Sequence, residues 1–369
     1  MSPIDFPLES GILLGISLCF KEDGRYKNMV EGSCVFSDAQ GVLRKAKLTA
    51  ADAEFCPSGE EWKISLPVFS LTTWRYYRLS EVQIQTSTNS PLHKLSLNLT
   101  SGSRELFSSF FSKVQDSIHN GSIEKAVIYT DLKLERKLSE AEKKQITKNL
   151  VSNYVKGNLI IIDTEDFYLA SNSPEILFRV SENQYFESMA LAGTHVRSDD
   201  PKVEKSFLFD SKERAEHELV VQFLKESLEI HMDLNFRQTD ILKLERLMHL
   251  RTVVSSNWNS KLQAIDILKS LHPTPALGSY PKNSFNEGFL RMDELLPRHY
   301  FGSSVLLESE KNKLAIVLIR MIQSLGGSTH IPTGCGIVAE SLINNEWAEV
   351  QLKREQVLKD MGIHESKNS

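Results

Sequence analysis

The chain has 369 residues, 41% hydrophobic and 25% charged, a composition that suits a globular protein with a sizeable core in one large domain or two ordinary ones. A formal net charge of -5 and a pI near 6.1, with no basic cluster interleaved with aromatics, argue against a nucleic-acid partner. Four scattered cysteines, Cys19, Cys34, Cys56 and Cys335, match neither a zinc site nor a disulfide framework, and they point to a reducing, cytoplasmic setting.

The opening MSPIDF lacks the basic region of a secretory leader. The apolar runs 11–20 and 314–322 fall short of the ~20 residues a membrane span needs, and Arg320 interrupts the second, so no membrane partner is expected. Residues 10–100 read mainly as strands and turns, with β-rich segments near 11–20, 32–36, 62–71 and 92–99. The first clear helix follows. Ser103 is placed to cap it, Leu106, Phe107, Phe110, Phe111, Val114 and Ile118 form its apolar face, and Asn120-Gly121 ends it. The division between an N-terminal β-rich portion (1–112) and a catalytic portion (113–369) is set at this helix, the two expected to form one continuous structural domain.

The next segment, 123–134, is apolar on both faces, as in a central strand, yet Lys125 shares a face with Ile123, Val127 and Tyr129. Ser139-Glu140-Ala141-Glu142 reads as a capping box opening a helix through Ile146, Leu150 and Tyr154. Segments 158–164, 167–170, 176–180 and 185–191 read as consecutive strands whose short turns favour antiparallel pairing.

Residues 211–228, SKERAEHELVVQFLKESL, place Leu219, Val220, Phe223, Leu224 and Leu228 on one helical stripe that runs back to Glu216 and Glu213. An acidic first turn suits a helix dipole, but an inward-facing carboxylate must find a positive partner or neutralise. Near the C-terminus, Glu346, Glu349 and Lys353 repeat the spacing on one face. Two such pairs from distant parts of the chain match the demands of a hard divalent cation such as magnesium, which takes oxygen ligands and keeps several waters.

Taken together, Ser173-Pro174-Glu175, Ala190-Leu191-Ala192-Gly193-Thr194, Glu216-His217, His249-Leu250-Arg251-Thr252, Leu271-His272-Pro273-Thr274-Pro275-Ala276, Gly334-Cys335-Gly336-Ile337-Val338 and Glu346-Trp347-Ala348-Glu349 resemble, in order and spacing, the chorismate-utilising enzymes. That family includes isochorismate synthases, salicylate synthases and the synthase subunits for anthranilate and aminodeoxychorismate, and the resemblance covers about residues 120–362. It implies an α+β fold: a large sandwich of two facing antiparallel β-sheets with helices packed outside and the site between sheet and helices. It implies that magnesium bridges the ring carboxylate of chorismate to Glu216 and Glu349, with Glu213 and Glu346 acting through water. The other carboxylate is then expected at Arg320, Lys353 and the backbone of Gly334, Gly336 and Ile337. Ala192, Gly193, Thr194, His249, Thr252, Phe301 and Gly302 are expected around the substrate, and His272 in a structural role.

By the same resemblance Lys125 is the base of the water-adding branch, where ammonia-using subunits have glutamine, and Glu175 is the general acid, its pKa raised by its surroundings. A lysine works as a base near neutral pH only when burial or a nearby cation lowers its pKa. Ala192 stands where aminodeoxychorismate synthases have lysine, which also favours water addition. The resemblance therefore implies a magnesium-dependent isochorismate synthase serving menaquinone or siderophore synthesis, a monomer or weak dimer without an obligatory amidotransferase. The alternatives are a salicylate synthase, an ammonia-using lyase subunit, and a chorismate-binding homologue without turnover. Six positions depart from the family's usual residues: Tyr129-Thr130, where the family has a serine–arginine pair, His195, Ser279, Ser303 and Cys335. They put the fit of the substrate in question.

Overall fold

The computed structural model describes residues 31–38, 40–86, 91–154, 157–244, 247–282 and 296–365; the strand expected at 11–20 and Cys19 lie outside them. The strands are β1 (Glu31–Ser37), β2 (Leu43–Ala50), β3 (Trp62–Pro67), β4 (Trp74–Ile84), β5 (Leu95–Leu97), β6 (Thr100–Ser101), β7 (Lys125–Leu134), β8 (Asn158–Thr164), β9 (Tyr168–Ser173), β10 (Ile176–Val180), β11 (Tyr185–Val196), β12 (Asn235–Phe236), β13 (Asp240–Lys243), β14 (Leu247–Asn257), β15 (Ser279–Tyr280), β16 (Ser304–Glu308), β17 (Lys313–Val317), β18 (Met321–Leu325), β19 (Ser328–Ile337) and β20 (Ile363–Glu365). Six helices accompany them among the described residues: α1 (Arg104–His119), α2 (Glu140–Ser152), α3 (Pro201–Leu208), α4 (Ser211–Leu228), α5 (Ala264–Leu271) and α6 (Ile343–Met361).

The fold is α+β, and where two facing sheets are expected the strands form one hydrogen-bonded antiparallel sheet of 18 strands. Its main ladder runs β14-β11-β10-β17-β16-β3-β4-β2-β1-β8-β9-β18-β19-β7, with β12 and β13 added to β14, and β6 and β15 to β7. The ladder curls so that both halves share a core: Phe36, Leu48 and Ile160 from one half meet Leu307 and Ile316 from the other. A separate parallel pair joins β5 to β20. The strands before residue 112 form one block, β3-β4-β2-β1, joined to later strands on both sides through β3–β16 and β1–β8, so β1–β4 are structural members of the same sheet as the C-terminal strands.

Strand β8 shows how the sequence positions these layers. Ile160 and Ile162 enter the central core, whereas Leu159 and Ile161 face the cluster built with α2 and α6. Period-two alternation with both faces buried is what an unbroken apolar strand requires. On the other flank, Val220, Phe223, Leu224 and Leu228 of α4 pack with Ile267 and Leu268 of α5 against Phe186 and Val254.

Local chemistry fixes the helix ends. Ser103 caps α1 by accepting from Leu106 N, and Ser139 with Glu142 forms the reciprocal capping box of α2. Asp210 accepts Glu213 N to start α4 at Ser211, and Gly362, at φ 69°, ends α6. Strands β2 and β4 were not among the expected segments, and 92–99 contributes only the short β5.

Candidate active site

The sequence suggests that β8, β9, β10 and β11 pair in succession, but β9 and β10 are not partners. At Ser173-Pro174-Glu175 the chain leaves one neighbour for another: β9 pairs with β18 and β10 with β17. The opposing chain breaks at the matching place, between β17 and β18, where Leu318-Ile319-Arg320 intervenes. The two breaks are tied together by Val317 N donating to Glu175 O (3.2 Å), Asn172 N to Arg320 O (3.4 Å) and Ser171 Oγ to Ile319 O (2.6 Å). Arg320 takes a left-handed φ of 51°, unfavourable for a residue with a Cβ, and side chains at such positions often serve a site. Both Glu175 and Arg320 open onto one cavity at this gap.

Across the cavity, α4, α6 and β7 supply charge, and β19 supplies the backbone between them. Lys125 is fully buried, and its Nζ lies 2.7 Å from Glu216 Oε1. Gly336 on β19 makes that approach possible, since a Cβ there would fall 2.4 Å from Glu216 Oε1 and 2.6 Å from Lys125 Cε. Lys353 Nζ is held between Glu349 Oε1 (2.6 Å) and Gly334 O (3.1 Å). Glu213 Oε2 accepts Thr194 N at 2.7 Å, a contact reached because β11 bulges at Gly193, whose φ is 78°.

Environment splits the carboxyls into two kinds. Burial raises Glu175 to about 8, only partly opposed by Lys125 and Lys353, so its acid form dominates at neutral pH. Burial acts the same way on Glu216, but the Lys125 and Lys212 ammonium groups outweigh it and hold Glu216 below the usual carboxylate range. Glu213 is pushed up to about 7 by burial and by Glu216, against Lys212. Burial, together with Glu349, raises Glu346 as well.

His249 lies on the same cavity, lowered to about 3 by burial and by Arg320 and Lys353, hence neutral. Its Nδ1 faces Gly193 O at 3.1 Å and Thr194 Oγ1 at 3.2 Å. Donation to the carbonyl leaves Nε2 as a buried acceptor without a partner among the described residues.

An all-carboxylate donor set suits magnesium. Among the described residues, however, no three His, Cys, Asp or Glu side chains converge closely enough to hold an ion as they stand. Instead the carboxylates of α4 and α6 lie against ammonium groups: Glu216 on Lys125, Glu349 on Lys353, and Glu213 and Glu346 on Lys212. The residue types fit the metal, and lysines take the positions of its charge.

The sequence profile of the chorismate binding enzymes matches residues 38–359. The chain belongs to that family. It is 30% identical to the isochorismate synthase EntC of Escherichia coli (strain K12) over 225 residues, 58% of this chain and 56% of that protein. It is 26% identical to anthranilate synthase component 1 of Aquifex aeolicus over 212 residues, 55% of this chain and 43% of that protein. The match thus spans about half the length of these curated relatives. Among solved structures, the menaquinone-specific isochorismate synthase MenF from Escherichia coli superimposes with a TM-score of 0.70 at 18% identity, covering 89% of this chain and 88% of that one. At that identity the likeness shows the fold.

Within this chorismate-binding fold, Glu175, Ala192, Gly193, Thr194, Glu216, His249, Phe301, Arg320, Gly334, Gly336 and Lys353 line the cavity. Lys125 sits directly behind Gly336, and Glu213, Glu346 and Glu349 stand behind Glu216 and Lys353. Three expected substrate contacts do not line it. Thr252 is engaged by His217 Nε2 and Thr239 Oγ1, each at 2.8 Å; Ile337 is core, paired with Ala126; Gly302, at φ 79°, turns against the Phe69 ring. His272 Nε2 donates to Phe69 O at 2.6 Å, the structural place expected for it.

Of the six departures only Cys335 lines the cavity. Ser303 donates to Pro67 O and Ser279 to Pro281 O, His195 is exposed beside Phe207, and Thr130 is buried under Gly102. His217, read only as part of the Glu216-His217 segment, received no role from the sequence, and Lys212 was not singled out at all. His217 is fully buried and anchors α4 to β14 through Thr252; Lys212 sits between Glu213 and Glu346. A cation in the first turn of a helix, where the dipole disfavours it, was the available signal for Lys212.

Proposed function

We propose that the chain is a magnesium-dependent isochorismate synthase, a cytoplasmic isomerase that moves the ring hydroxyl of chorismate from C4 to C2 in menaquinone or siderophore synthesis. The observation that carries this reading is the pairing of roles around one cavity: a buried amine, Lys125, and a buried carboxyl, Glu175, kept in its acid form. Once Glu216 is drawn off it toward the cavity, Lys125 sheds its ammonium proton to solvent, and the free amine takes a proton from a water whose oxygen bonds to C2. Glu175 gives its proton to the C4 hydroxyl, which leaves as water while the ring double bonds shift. One water enters and one departs, so substrate and product are isomers, and the proton returns from Lys125 to Glu175 through solvent.

The rest of the cavity holds a dianion. Arg320 has no ion-pair partner among the described residues, and its planar fork suits a carboxylate bidentately, with Lys353 beside it. Neutral His249 offers Nε2 to a ring hydroxyl. Glu216 and Glu349 would hold magnesium, with Glu213 and Glu346 at longer reach, and the bound ion would supply Lewis-acid neutralisation of the ring carboxylate. Ala192, with no amine to offer, speaks against the ammonia-using branch.

Incubation of purified protein with chorismate and magnesium, followed by chromatography, tests the reading. Isochorismate that disappears in Lys125→Ala supports it. Salicylate with stoichiometric pyruvate would assign the chain to the lyases instead, and thermal stabilisation by chorismate without product would make it a binding homologue.

A further inference from the structure

Lys212 is the second residue of α4, one place before Glu213, in a turn where the helix dipole works against a positive charge. Its ammonium lies 3.1 Å from Glu213 Oε1 and 3.0 Å from Glu346 Oε1, bridging the two acidic helices. Burial acts against that charge, yet Glu346, Glu216, Glu213 and Glu349 together hold it well above the ordinary lysine range. One side chain therefore feels all four carboxylates of the cluster.

The other two lysines of this wall have additional work. Lys125 is wholly enclosed under Gly336, and Lys353 also donates to Gly334 O. Among the described residues the ion pairs of Lys212 are with the cluster alone, and 21% of its side chain remains exposed, which gives it a path to solvent. Of the three ammonium groups it is the one that can leave without opening the core.

We propose that Lys212 is the resident counter-cation of the acidic cluster, a positioning residue that holds α4 and α6 together in the metal-free protein and that a divalent ion displaces on binding. This inference rests on the metal reading given above. It explains why carboxylates suited to magnesium do not converge as they stand: Glu213 and Glu346 are drawn to an ammonium, and Glu346, 1% exposed, depends on it for charge compensation. Exchange of one positive charge for two also makes the wall more attractive to a dianion once the ion is bound.

The test is metal affinity itself, measured by Mn2+ electron paramagnetic resonance and Mg2+ calorimetry on the full chain without substrate. Lys212→Met and Lys212→Gln should bind either ion roughly tenfold or more tightly than the wild type, because the competing charge is gone. Lys212→Arg, which keeps the charge, should stay near wild type. Both neutral variants should melt at lower temperature without metal and gain more from adding it than the wild type does. Gln retains hydrogen-bond donors, so it serves if Met does not fold. Unchanged or weaker affinity in the neutral variants would overturn the role of Lys212 while leaving the metal reading intact. Failure of every protein to bind either ion would overturn both.

Discussion

Glu216 and Glu175 are both buried, both open onto the same cavity, and both lie within the field of Lys125, yet one is held ionised and the other protonated. Their surroundings differ in contact. Glu216 touches Lys125 Nζ at 2.7 Å, and Lys212 and Lys353 add to the attraction. Glu175 stands at a break in the ladder, next to Pro174, where Lys125 and Lys353 act only from a distance and no donor reaches its carboxyl among the described contacts. Burial alone decides neither state; a hydrogen-bonded ammonium overcomes desolvation and a remote one does not. A helix-borne, charge-dense wall thus faces an acid set at a strand break across a few side chains.

The most severe way to break this contrast is Lys125→Met, which leaves Glu216 buried without its contact. Breaking a buried pair from one side costs about 3–5 kcal/mol, to be read from denaturant unfolding, and product formation should vanish. Glu175→Gln attacks the other wall and should keep fold and binding while turnover drops roughly 10²–10⁴-fold in a chorismate assay. The acid form of Glu175 exists below its pKa, so wild-type turnover should fall as pH rises through about 8, a limb that the variant should lack.

Gly336→Ala sharpens the comparison by pressing a methyl between Lys125 and Glu216, whose atoms it would approach to 2.6 and 2.4 Å. Forced overpacking of this kind costs about 1–3 kcal/mol and should lower activity through the same pair, visible as a reduced unfolding midpoint with parallel loss of rate. The smallest effect belongs to Cys335→Ala. Removing one buried atom costs about 1 kcal/mol, and since burial and the nearby Glu349 keep the thiol protonated, turnover should stay near wild type.

What could be read from the chain was whatever local pattern determines. The stripe of α4, with polar residues before it and Glu229 after Leu228, sets that helix at Ser211–Leu228, and the Ser139–Glu142 box sets α2. The two Glu-x-x-Glu pairs were visible because helical spacing puts both carboxylates on one face before any tertiary contact forms. The matched breaks at Glu175 and Arg320 were not visible, because which strand lies beside which is decided by residues far apart in the chain, 148 positions in the Ser171–Ile319 bond. Strands β2 and β4 escaped for a similar reason: LRKAKLTA is short of apolar residues, and its pairing with β1 and β4 supplies what composition lacks. Lys212 escaped because a lysine on a helix is ordinarily solvated, and only the arrival of Glu346 from α6 makes it central.

The central claim is that this cavity holds an ionised carboxylate on one wall and a protonated carboxyl on the other. Difference infrared spectroscopy of the wild type against Glu175→Gln reads it directly. At pH 7 the wild type should show a protonated-carboxyl stretch that the variant lacks and that fades as pH passes about 8. A wild type showing no such band at pH 7, with Glu175 already ionised, would contradict the account.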